Sequence, residues 1–492
     1  MSDRRRGALR SHTESGVTPS IPSPVVPSRA REELRRRMER PQRHRLLSGY
    51  PMAPLMRPGA QAALVALEEL DATRPLIAGV LPHASCNPRV AGCGFCTFPH
   101  ERYHEGEVRR VVAQVAREVR ERSRDLALRE RRVEAVYFGG ATANLTPPRE
   151  LAGLAGTLEE CLELSSAEVT LEGVPKYFLI RDEAALEVIA AMRVRQRRIS
   201  MGVQTFDPTW LARMGRSAFG DAEVIAEVVR AAHRRGFTTS VDLLFNLPGA
   251  KLAQALDDVQ RAAVLGVEQI CVYNLVLTPD LGTEWSARPD LLGAMPSVER
   301  AHDAWLAVRE RLLELGYVQP TLTNFERAEV AITPRAFAYE RASFSPDAYD
   351  AIGFGPSAIS TFTGRDRRAA KWANEARGAA YALAMETHDV PIAAAFEYAP
   401  IDLRLMHLTR GLSLTAVDRA RYRAFFGTDP VADFTPRFEI AEERGLVAID
   451  ADRIALTPSG MFYADAVAGL LAADRVNALR ASDEGATPYR MG

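Results

Sequence analysis

The sequence predicts an α/β fold with parallel strands, followed by a smaller and mainly helical C-terminal module. Between residues 75 and 280, short apolar runs rich in β-branched side chains alternate with longer amphipathic stretches. Six such strand–helix units predict parallel strands joined by right-handed crossovers. An open sheet and a barrel both satisfy this pattern, and in either fold ligands bind at the carboxyl ends of the strands.

Each element follows from the local pattern. The strands are predicted over residues 76–81, 133–138, 167–171, 199–203, 240–245 and 269–277. The helices between them are predicted over residues 107–124, 149–164, 182–192, 221–235 and 252–265. A further helix over residues 298–315 leads into a strand-like segment over 317–325 and a glycine-containing segment over 351–357.

The C-terminal part is predicted to be helical from about residue 392 and to close with a hairpin. Its strands are predicted over 446–449 and 454–456, around a turn at 450–452. A hairpin after helices is typical of a winged helix, but a basic recognition stretch is missing, so we expect no DNA binding. The predicted boundaries are a disordered tail over 1–45 with one short helix near residues 30–40, the strand–helix units over 46–280, a barrel extension and connector over 281–390, and the winged-helix-like domain over 391–480.

Composition limits the range of partners. The chain has 492 residues, with 62 Lys and Arg against 63 Asp and Glu, so its formal charge is −1. This balance gives no basis for a nucleic-acid partner. No apolar run approaches the ~20 residues of a membrane span, and the N-terminus lacks the apolar stretch of a secretory signal. We therefore expect a cytoplasmic protein without nucleic-acid or membrane partners.

Three of the five cysteines lie close together, at Cys86, Cys93 and Cys96. Such spacing in a glycine-containing loop favours a metal site over a disulfide. One interpretation is a zinc site of Cys93 and Cys96 with His100 and His104, whose spacing fits structural zinc. The other is an iron–sulfur cluster on the three thiolates, with one iron left open for a ligand. The local spacing leaves both interpretations open.

Polar residues and glycines recur at the predicted strand ends. The second strand ends in Gly139 and Gly140, which let backbone groups approach a ligand closely. Other strand ends carry Glu172, Gln204, Asp242 and Asn274. Because burying a lone polar group costs about 1–3 kcal/mol, their recurrence at one face favours a small-molecule site. A zinc knuckle would not need them.

Taken together, these motifs resemble the radical S-adenosylmethionine (SAM) enzymes, and among them the branch of oxygen-independent coproporphyrinogen III oxidase and its relatives. Besides the three cysteines, the resemblance rests on residues 137–140, 170–173, 198–206, 236–249, 272–275 and 349–358. It covers roughly residues 75–470. The ordered series is much more specific than any single motif.

The resemblance implies a partial (β/α)6 TIM-like barrel that binds a 4Fe–4S cluster and SAM. The cluster ligands would be Cys86, Cys93 and Cys96. The residues that match cofactor-binding positions of the family are Phe95, Gly139, Gly140, Thr142, Glu172, Gln204, Arg216 and Asp242. One electron from the cluster would cleave the sulfonium to give a 5′-deoxyadenosyl radical, so the cofactors carry the chemistry and the protein positions them. We also expect a small-molecule substrate, an electron donor such as flavodoxin or ferredoxin, and a monomer.

Several positions depart from the family pattern. Six residues separate Cys86 from Cys93 where the family has the C-x3-C-x2-C spacing, and Ala141 replaces a third glycine. Phe98 stands where the true oxidase has a further cysteine, and resembles methyltransferase and heme-chaperone relatives instead. We therefore predict methylation or alkylation of an unactivated carbon of a small molecule. In the methyltransferase relatives a second SAM molecule supplies the carbon.

Two alternatives to methylation stay open. One is a heme chaperone that binds heme through His83, His100 or His104 as axial ligands. The other is an oxidoreductase that acts on a porphyrin, similar to coproporphyrinogen dehydrogenase.

The remaining cysteines and aromatic residues have plainer interpretations. Cys161 and Cys271 are predicted to be core thiols, since free cysteine is among the most buried residue types. Trp285, Trp305 and the aromatic segment over 337–349 either line a substrate cavity or pack the barrel, and packing is the preferred interpretation.

Overall fold

The computed structural model describes residues 26–43, 49–59, 70–86, 93–364, 367–388 and 390–482. Its strands are β1 (Arg57–Pro58), β2 (Leu76–Val80), β3 (Ser85–Cys86), β4 (Glu101–Arg102), β5 (Val133–Phe138), β6 (Glu168–Gly173), β7 (Gln196–Gln204), β8 (Thr238–Phe245), β9 (Gln269–Asn274), β10 (Tyr317–Val318), β11 (Asn324–Arg327), β12 (Asp350–Phe354), β13 (Ile359–Thr363), β14 (Ala369–Asn374), β15 (Ile392–Tyr398), β16 (Ala416–Asp418), β17 (Val447–Ile449) and β18 (Arg453–Leu456). Its α-helices are α1 (Pro27–Met38), α2 (Glu105–Asp125), α3 (Pro148–Cys161), α4 (Ile180–Ala191), α5 (Pro208–Arg213), α6 (Ala222–Arg234), α7 (Leu252–Val264), α8 (Pro289–Gly293), α9 (Val298–Glu314), α10 (Ala328–Ala331), α11 (Ala338–Ser343), α12 (Gly378–His388), α13 (Pro400–Ser413), α14 (Arg419–Phe426), α15 (Pro430–Asp433), α16 (Arg437–Glu443), α17 (Pro458–Phe462) and α18 (Ala464–Ser482).

The six strands predicted from the sequence are present as β2 and β5 to β9. They lie side by side in chain order, and every neighbouring pair is parallel. Strand β6, for example, buries every residue except Glu172. Near-continuous burial of this kind is typical of parallel strands that are covered on both faces. The predicted α/β class is therefore confirmed.

The sheet is curved into a partial barrel. Tyr137 on β5 and Cys271 on β9 line one cavity of ≈ 360 Å³, although three strands lie between β5 and β9. In a flat sheet, two strands separated in this way would stand ~19 Å apart. Inward curvature of the sheet is what brings both side chains to one cavity. Among the described strands, the edge strands β1 and β10 do not pair with each other, so the barrel does not close.

The sheet continues beyond the six predicted strands on both sides. On one side β12 pairs in parallel with β2, and β13, β14, β15 and β1 follow in antiparallel order. On the other side β11 and β10 follow β9. Strand β15 differs from the helix expected after residue 392. Its alanines favour a helix, but backbone pairing with β14 outweighs that preference.

The C-terminal module contains helices α13 to α18 and a three-stranded sheet in the order β16–β18–β17. Strands β17 and β18 form the hairpin that the sequence predicts. A second hydrophobic core, distinct from that of the barrel, joins these helices to β14, β15 and α1. This core extends across the predicted boundary at residue 391, and the division into domains stays a prediction.

Helix α1 lies within the segment that the sequence predicts to be a tail. Ala30 and Leu34, one turn apart, are both buried in the second core. Arg31 forms a 2.9 Å salt bridge with Glu443, which joins α1 to α16. A helix is thus present where a short one is expected near residues 30–40, and it packs on the second core instead of being solvated. The extent of the tail stays a prediction. Residues 1–25 lie outside the described residues.

The length and the apolar character of a helix decide whether it can cross a membrane. Across the described ranges, none of the helices combines the length and the apolar character that crossing a membrane requires.

Candidate functional site

A cavity of ≈ 300 Å³, the cofactor cavity below, lies at the carboxyl ends of the parallel strands. Ten of the eleven site residues predicted from the sequence line it: Cys86, Cys93, Phe95, Cys96, Gly140, Thr142, Glu172, Gln204, Arg216 and Asp242. The eleventh, Gly139, lies beside it, where an added Cβ would stand 2.9 Å from Glu172 Oε2. Residues from four strands and a loop thus converge at the edge of the sheet where α/β folds bind ligands.

The three cysteines reach this cavity from the segment after β2. Cys86 ends β3, which pairs with β4, and its Sγ lies 3.2 Å from Thr142 Oγ1. Cys93 and Cys96 follow, and burial raises the pKa of the Cys96 thiol. Residues 87–92, which account for the unusual spacing between Cys86 and Cys93, lie outside the described residues.

Gly94 and Trp285 fix the second half of this cysteine loop. Gly94 has a φ of 63°, and an added Cβ would come within 2.3 Å of the Trp285 ring. The Trp285 backbone N–H donates to the Gly94 carbonyl at 2.8 Å. The Trp285 ring meets Phe95 edge-on, with 5.6 Å between ring centroids. Trp285 is thus a packing residue, as predicted, and it supports the loop that carries the thiols.

Arg216 supplies positive charge beside the thiols. Its Nη1 donates to Cys93 Sγ at 3.0 Å, and its Nη2 donates to the Gly202 carbonyl. The residue is 6% exposed, yet its Nε has no hydrogen-bond partner in the protein. Because an unpaired buried donor costs about 1–3 kcal/mol, this N–H indicates a ligand with an acceptor atom.

Two of the predicted residues have a left-handed backbone. Gly140 has a φ of 107°, and an added Cβ would lie 3.2 Å from Leu81 Cγ. Gln204 has a φ of 74° although it is not glycine, and it follows a register shift in β7 after Gly202. A positive φ costs a residue other than glycine ~1–3 kcal/mol, and such strained positions cluster at functional sites. The register shift therefore lies at the end of β7, where Gln204 lines the cofactor cavity.

Glu172 and Asp242 line both the cofactor cavity and a second cavity deeper in the barrel. Tyr137 lines the second cavity beside them. Burial, reinforced by the charges of Glu172 and Asp242, holds the pKa of the Tyr137 hydroxyl well above its usual value. The hydroxyl therefore stays protonated and can donate a hydrogen bond where the two cavities meet.

The second cavity, the chamber below, has a volume of ≈ 360 Å³. It is lined by Tyr137, Glu172, Arg198, Ser200, Asp242, Gln269, Cys271, Tyr273, Asn324, Phe337, Tyr339, Glu340, Ser343 and Phe344. The prediction that residues 337–349 pack the barrel is wrong for Phe337, Tyr339 and Phe344. The reason is that α11 packs against β5, which places these rings in the chamber wall.

The two remaining cysteines differ in their surroundings. Cys271 is buried, as expected of a core thiol, but it also lines the chamber and donates to Asn324 Oδ1 at 2.6 Å. Cys161 is half-buried at the end of α3. Trp305 is fully buried, as its predicted packing role requires.

The three nearby histidines do not share one site. His100 lines the cofactor cavity, with its Nδ1 3.0 Å from the Phe98 carbonyl. His83 is buried outside that cavity, where burial lowers its pKa to about 4, and His104 is exposed before α2. Within the described ranges, no three His, Cys, Asp or Glu side chains are placed to hold a metal ion. The structure therefore does not support the zinc interpretation.

Sequence reasoning missed Arg198, Gln269 and Asn144. Arg198 and Gln269 lie deep in the barrel, on the inward-facing alternate positions of β7 and β9 that also carry Ser200 and Cys271. The two-residue alternation of a strand could have located them. The Asn144 side chain forms hydrogen bonds with the backbone N–H and the carbonyl of Val174, which follows β6. This contact joins two loops, and no local sequence pattern indicates it.

The comparisons with known proteins agree with this geometry. Residues 81–262 match the family model of the radical SAM superfamily, so the chain contains a radical SAM domain. More particularly, the chain is similar to the oxygen-independent coproporphyrinogen III oxidase of Bradyrhizobium diazoefficiens, with 25% identity over 442 residues that cover 86% of this chain and 92% of that protein. It is also similar to the heme chaperone HemW of Lactococcus lactis, with 28% identity over 197 residues, 39% of this chain and 50% of that protein.

A solved structure shows the same fold. Coproporphyrinogen III oxidase (HemN) from Escherichia coli matches with a TM-score of 0.71 and 19% identity, over 86% of this chain and 96% of that chain. The expected resemblance to the branch of these oxidases and heme chaperones is confirmed.

The residues around the cofactor cavity fit the 4Fe–4S cluster and SAM that the radical SAM family uses. A 4Fe–4S cluster binds each thiolate through a different iron, so its cysteines surround it instead of converging on one point. The unpartnered Nε of Arg216 suits an anionic group such as the carboxylate of SAM. Gly140 lines the cavity with a φ of 107°, a backbone conformation that mainly glycine adopts.

Proposed function

We propose that this chain binds a 4Fe–4S cluster through Cys86, Cys93 and Cys96 and uses SAM to abstract a hydrogen atom from a small molecule. The observation that carries the proposal is the connection between the two cavities. Glu172 and Asp242 line both, so a ligand in the chamber lies next to the cofactor cavity. Close placement of two reactants is the main contribution that a protein can make to such chemistry.

When bound, the cluster and SAM supply a one-electron cleavage of the sulfonium and the hydrogen abstraction that follows. The residues of the chain bind and orient. Arg216 Nε would donate a hydrogen bond to the carboxylate of SAM, while its Nη1 stabilises the negative charge on Cys93. Phe95 would pack against the adenine, with Gly139 and Thr142 near the methionine group.

The remaining predicted contacts are polar side chains. Glu172, Gln204 and Asp242 would bind the ribose and the methionine group from three neighbouring strands. The buried walls around them limit access of water and of other molecules to the site, which reduces side reactions of a reactive intermediate.

Iron and sulfide analysis with a 5′-deoxyadenosine assay, both under anaerobic conditions, tests the class of chemistry. We expect about four irons per chain and reductant-dependent release of 5′-deoxyadenosine. Cys96→Ala should lose both. Cys161→Ala is the matched control, because Cys161 lies on α3 away from the cavity, and it should keep both. Iron-free protein with stoichiometric zinc, or cleavage that survives Cys96→Ala, would refute the proposal.

We further propose that the hydrogen abstraction leads to methylation or alkylation of an unactivated carbon. The support is Phe98, which lines the cofactor cavity where the oxidase branch has a cysteine. SAM labelled on its methyl group should then transfer label to a product. Release of 5′-deoxyadenosine without any label transfer would reject methylation and keep the broader proposal.

A heme-binding role is the second candidate, because HemW is among the similar proteins. His100 is the histidine that faces the cofactor cavity. If heme binds there, heme addition should give a Soret band that His100→Ala shifts or removes. His104→Ala is the control, since His104 is exposed outside the cavity. An unchanged spectrum in both variants would reject His100 as a heme ligand.

Two further proposals concern partners. We expect the electron to come from a flavodoxin or ferredoxin and the chain to act as a monomer in the cytoplasm. Turnover with each donor and the mass of the reconstituted protein in solution check these points.

A further inference from the structure

We infer that the substrate is a small, elongated molecule with a carboxylate that binds Arg198 and Gln269. These two residues form the floor of the chamber, which is its end farthest from the cofactor cavity. This inference rests on the proposed function, and it goes further by naming the class of substrate. It is carried by two buried donors without partners, by the dimensions of the chamber and by its aromatic walls.

The two donors lie at the same end of the chamber. Arg198 is 1% exposed and Gln269 is 2% exposed, and both line the chamber. Arg198 Nη2 donates to Gln269 Oε1, while Arg198 Nε and Gln269 Nε2 have no partner in the protein. Two buried N–H donors left unpaired would each cost about 1–3 kcal/mol. A ligand oxygen placed between them would remove that cost.

Of the side chains that line the chamber, Arg198 carries the positive charge, and Glu172, Asp242 and Glu340 carry carboxylates. An anionic oxygen is therefore favoured beside Arg198 and not elsewhere in the chamber. The nearest carboxylate oxygen recorded for Arg198 is Glu168 Oε2, at 4.0 Å from Nη1. Glu168 already accepts hydrogen bonds from the backbone N–H groups of Ala338 and Tyr339. Burial also raises the pKa of Glu168. Glu168 therefore balances the Arg198 guanidinium only in part.

Arg198 is also held in place before any ligand binds. Its guanidinium lies over the Phe337 ring, with 3.9 Å between Cζ and the ring centroid. A stacked guanidinium keeps its edge free for in-plane hydrogen bonds, which is the geometry that carboxylates accept. The floor is thus preorganised for one acidic group.

The length of the chamber sets the length of the substrate. Arg198 lies four residues before Gly202 on β7, and Gly202 lines the cofactor cavity. Four residues of strand span ~13 Å. The Arg198 side chain spans part of that distance, and a substrate with its acid at Arg198 and its reacting carbon at the cofactor cavity extends over the rest.

The volume and the walls favour one or two rings rather than a tetrapyrrole. A volume of ≈ 360 Å³ is near the lower end of the ~300–1,000 Å³ of small-molecule pockets. The rings of Tyr137, Tyr273, Tyr339, Phe337 and Phe344 line the chamber. Tyr137 and Tyr339 lie 5.0 Å apart and Tyr137 and Phe337 6.4 Å apart, between ring centroids. Such walls suit a planar body between an acid and a reacting carbon.

Binding measurements separate this inference from the chemistry. The reconstituted full-length protein with SAM is titrated with 3-(4-hydroxyphenyl)propanoate, indole-3-propanoate and their primary amides, and affinities are measured by calorimetry. We expect the acids to bind about tenfold more tightly than the amides, or better, because one charge-assisted hydrogen bond is lost in the amides. Arg198→Gln should remove that preference, because the acids lose more affinity than the amides do.

Two further variants keep the test decisive. Gln269→Glu is nearly isosteric, pairs with Arg198 and should abolish acid binding without loss of the fold. Arg197→Gln is the control, because Arg197 is the next residue on β7 and donates to Met192 and Ile189 carbonyls away from the chamber. It should keep the acid preference.

Each contrary outcome overturns the inference. These outcomes are equal affinity for acids and amides, no acid binding at all, or an acid preference that survives Arg198→Gln and Gln269→Glu. Tighter binding of coproporphyrin III than of either small acid would also overturn the proposed class. Failure of SAM cleavage with acid binding intact would instead count against the proposed function alone.

Discussion

Gly140 combines a left-handed backbone with a crowded neighbourhood. Its φ of 107° is accessible mainly to glycine, and an added Cβ would lie 3.2 Å from Leu81 Cγ. We expect Gly140→Ala to weaken SAM binding at least tenfold, because the backbone must shift at the cavity wall. Equilibrium binding of SAM to the reconstituted protein measures this loss.

The control for that variant is Gly427→Ala. Gly427 has a φ of 75° at the end of α14, with nothing within 4 Å of an added Cβ. Its substitution should cost a similar ~1–3 kcal/mol of stability through backbone strain, with SAM affinity unchanged. Equal loss of SAM affinity in both variants would show that general strain, and not the cavity wall, is responsible.

Lys371 is a buried lysine whose charge should affect stability near neutral pH. Its Nζ donates to the Gly49 and Pro51 carbonyls, the latter at 2.8 Å. Burial, with a smaller contribution from Arg410, lowers its pKa from 10.5 to about 7. Between these two values the unfolded chain binds more protons than the folded chain, so stability rises with pH.

The measurement is denaturant unfolding across that pH range. The free energy of unfolding of the wild type relative to Lys371→Met should rise by up to ~1.4 kcal/mol per pH unit between about pH 7 and 10. Lys176→Met, which removes an exposed lysine, should leave the slope unchanged. If the difference in free energy of unfolding between the wild type and Lys371→Met did not change with pH, the buried amine would have to stay charged.

Among the secondary-structure elements, the sequence predicts well the strands and helices that follow from local hydrophobic periodicity. The six parallel strands appear within a few residues of their predicted bounds, because buried parallel strands are short apolar runs. Their polar ends, including Glu172 and Asp242, meet at one cavity because parallel strands end at the same edge.

Elements that depend on distant partners were less predictable. Strand β15 is alanine-rich and becomes a strand only through pairing with β14. Helix α1 is ordered by the second core, which no local pattern near it reveals. The chamber follows the same rule, because its wall at Phe337 and Tyr339 depends on how α11 packs against β5.

The cysteine loop is an element whose shape depends on one contact. Gly94 faces the Trp285 ring, where an added Cβ would come within 2.3 Å. We expect Gly94→Ala to displace the loop and to reduce iron per chain to less than half of the wild-type value. Iron analysis after anaerobic reconstitution checks this. Gly282→Ala, at a φ of 71° with open space around it, should keep full iron content, and equal iron in both variants would exclude a role for the contact.

The N- and C-terminal parts of the molecule are joined by a buried polar network. Asp402 is fully buried and accepts hydrogen bonds from Arg475 at 2.7 and 2.8 Å and from the Tyr50 hydroxyl at 2.6 Å. It sits on α13, whereas Tyr50 precedes the barrel. Together with the second core, this network joins residues before β2 to α18, the last of the described helices.

We therefore expect the C-terminal module and the sheet to unfold in one cooperative transition. Leu34 on α1 is fully buried in the second core, so Leu34→Ala should cost about 2–5 kcal/mol. In a calorimetric scan the whole transition should move to lower temperature, because the core that loses a side chain includes residues of β14 and β15. Leu383→Ala is the matched control, since Leu383 is 55% exposed on α12, and it should leave the transition in place. Two separate transitions, with only the smaller one moved by Leu34→Ala, would show that the C-terminal module folds on its own.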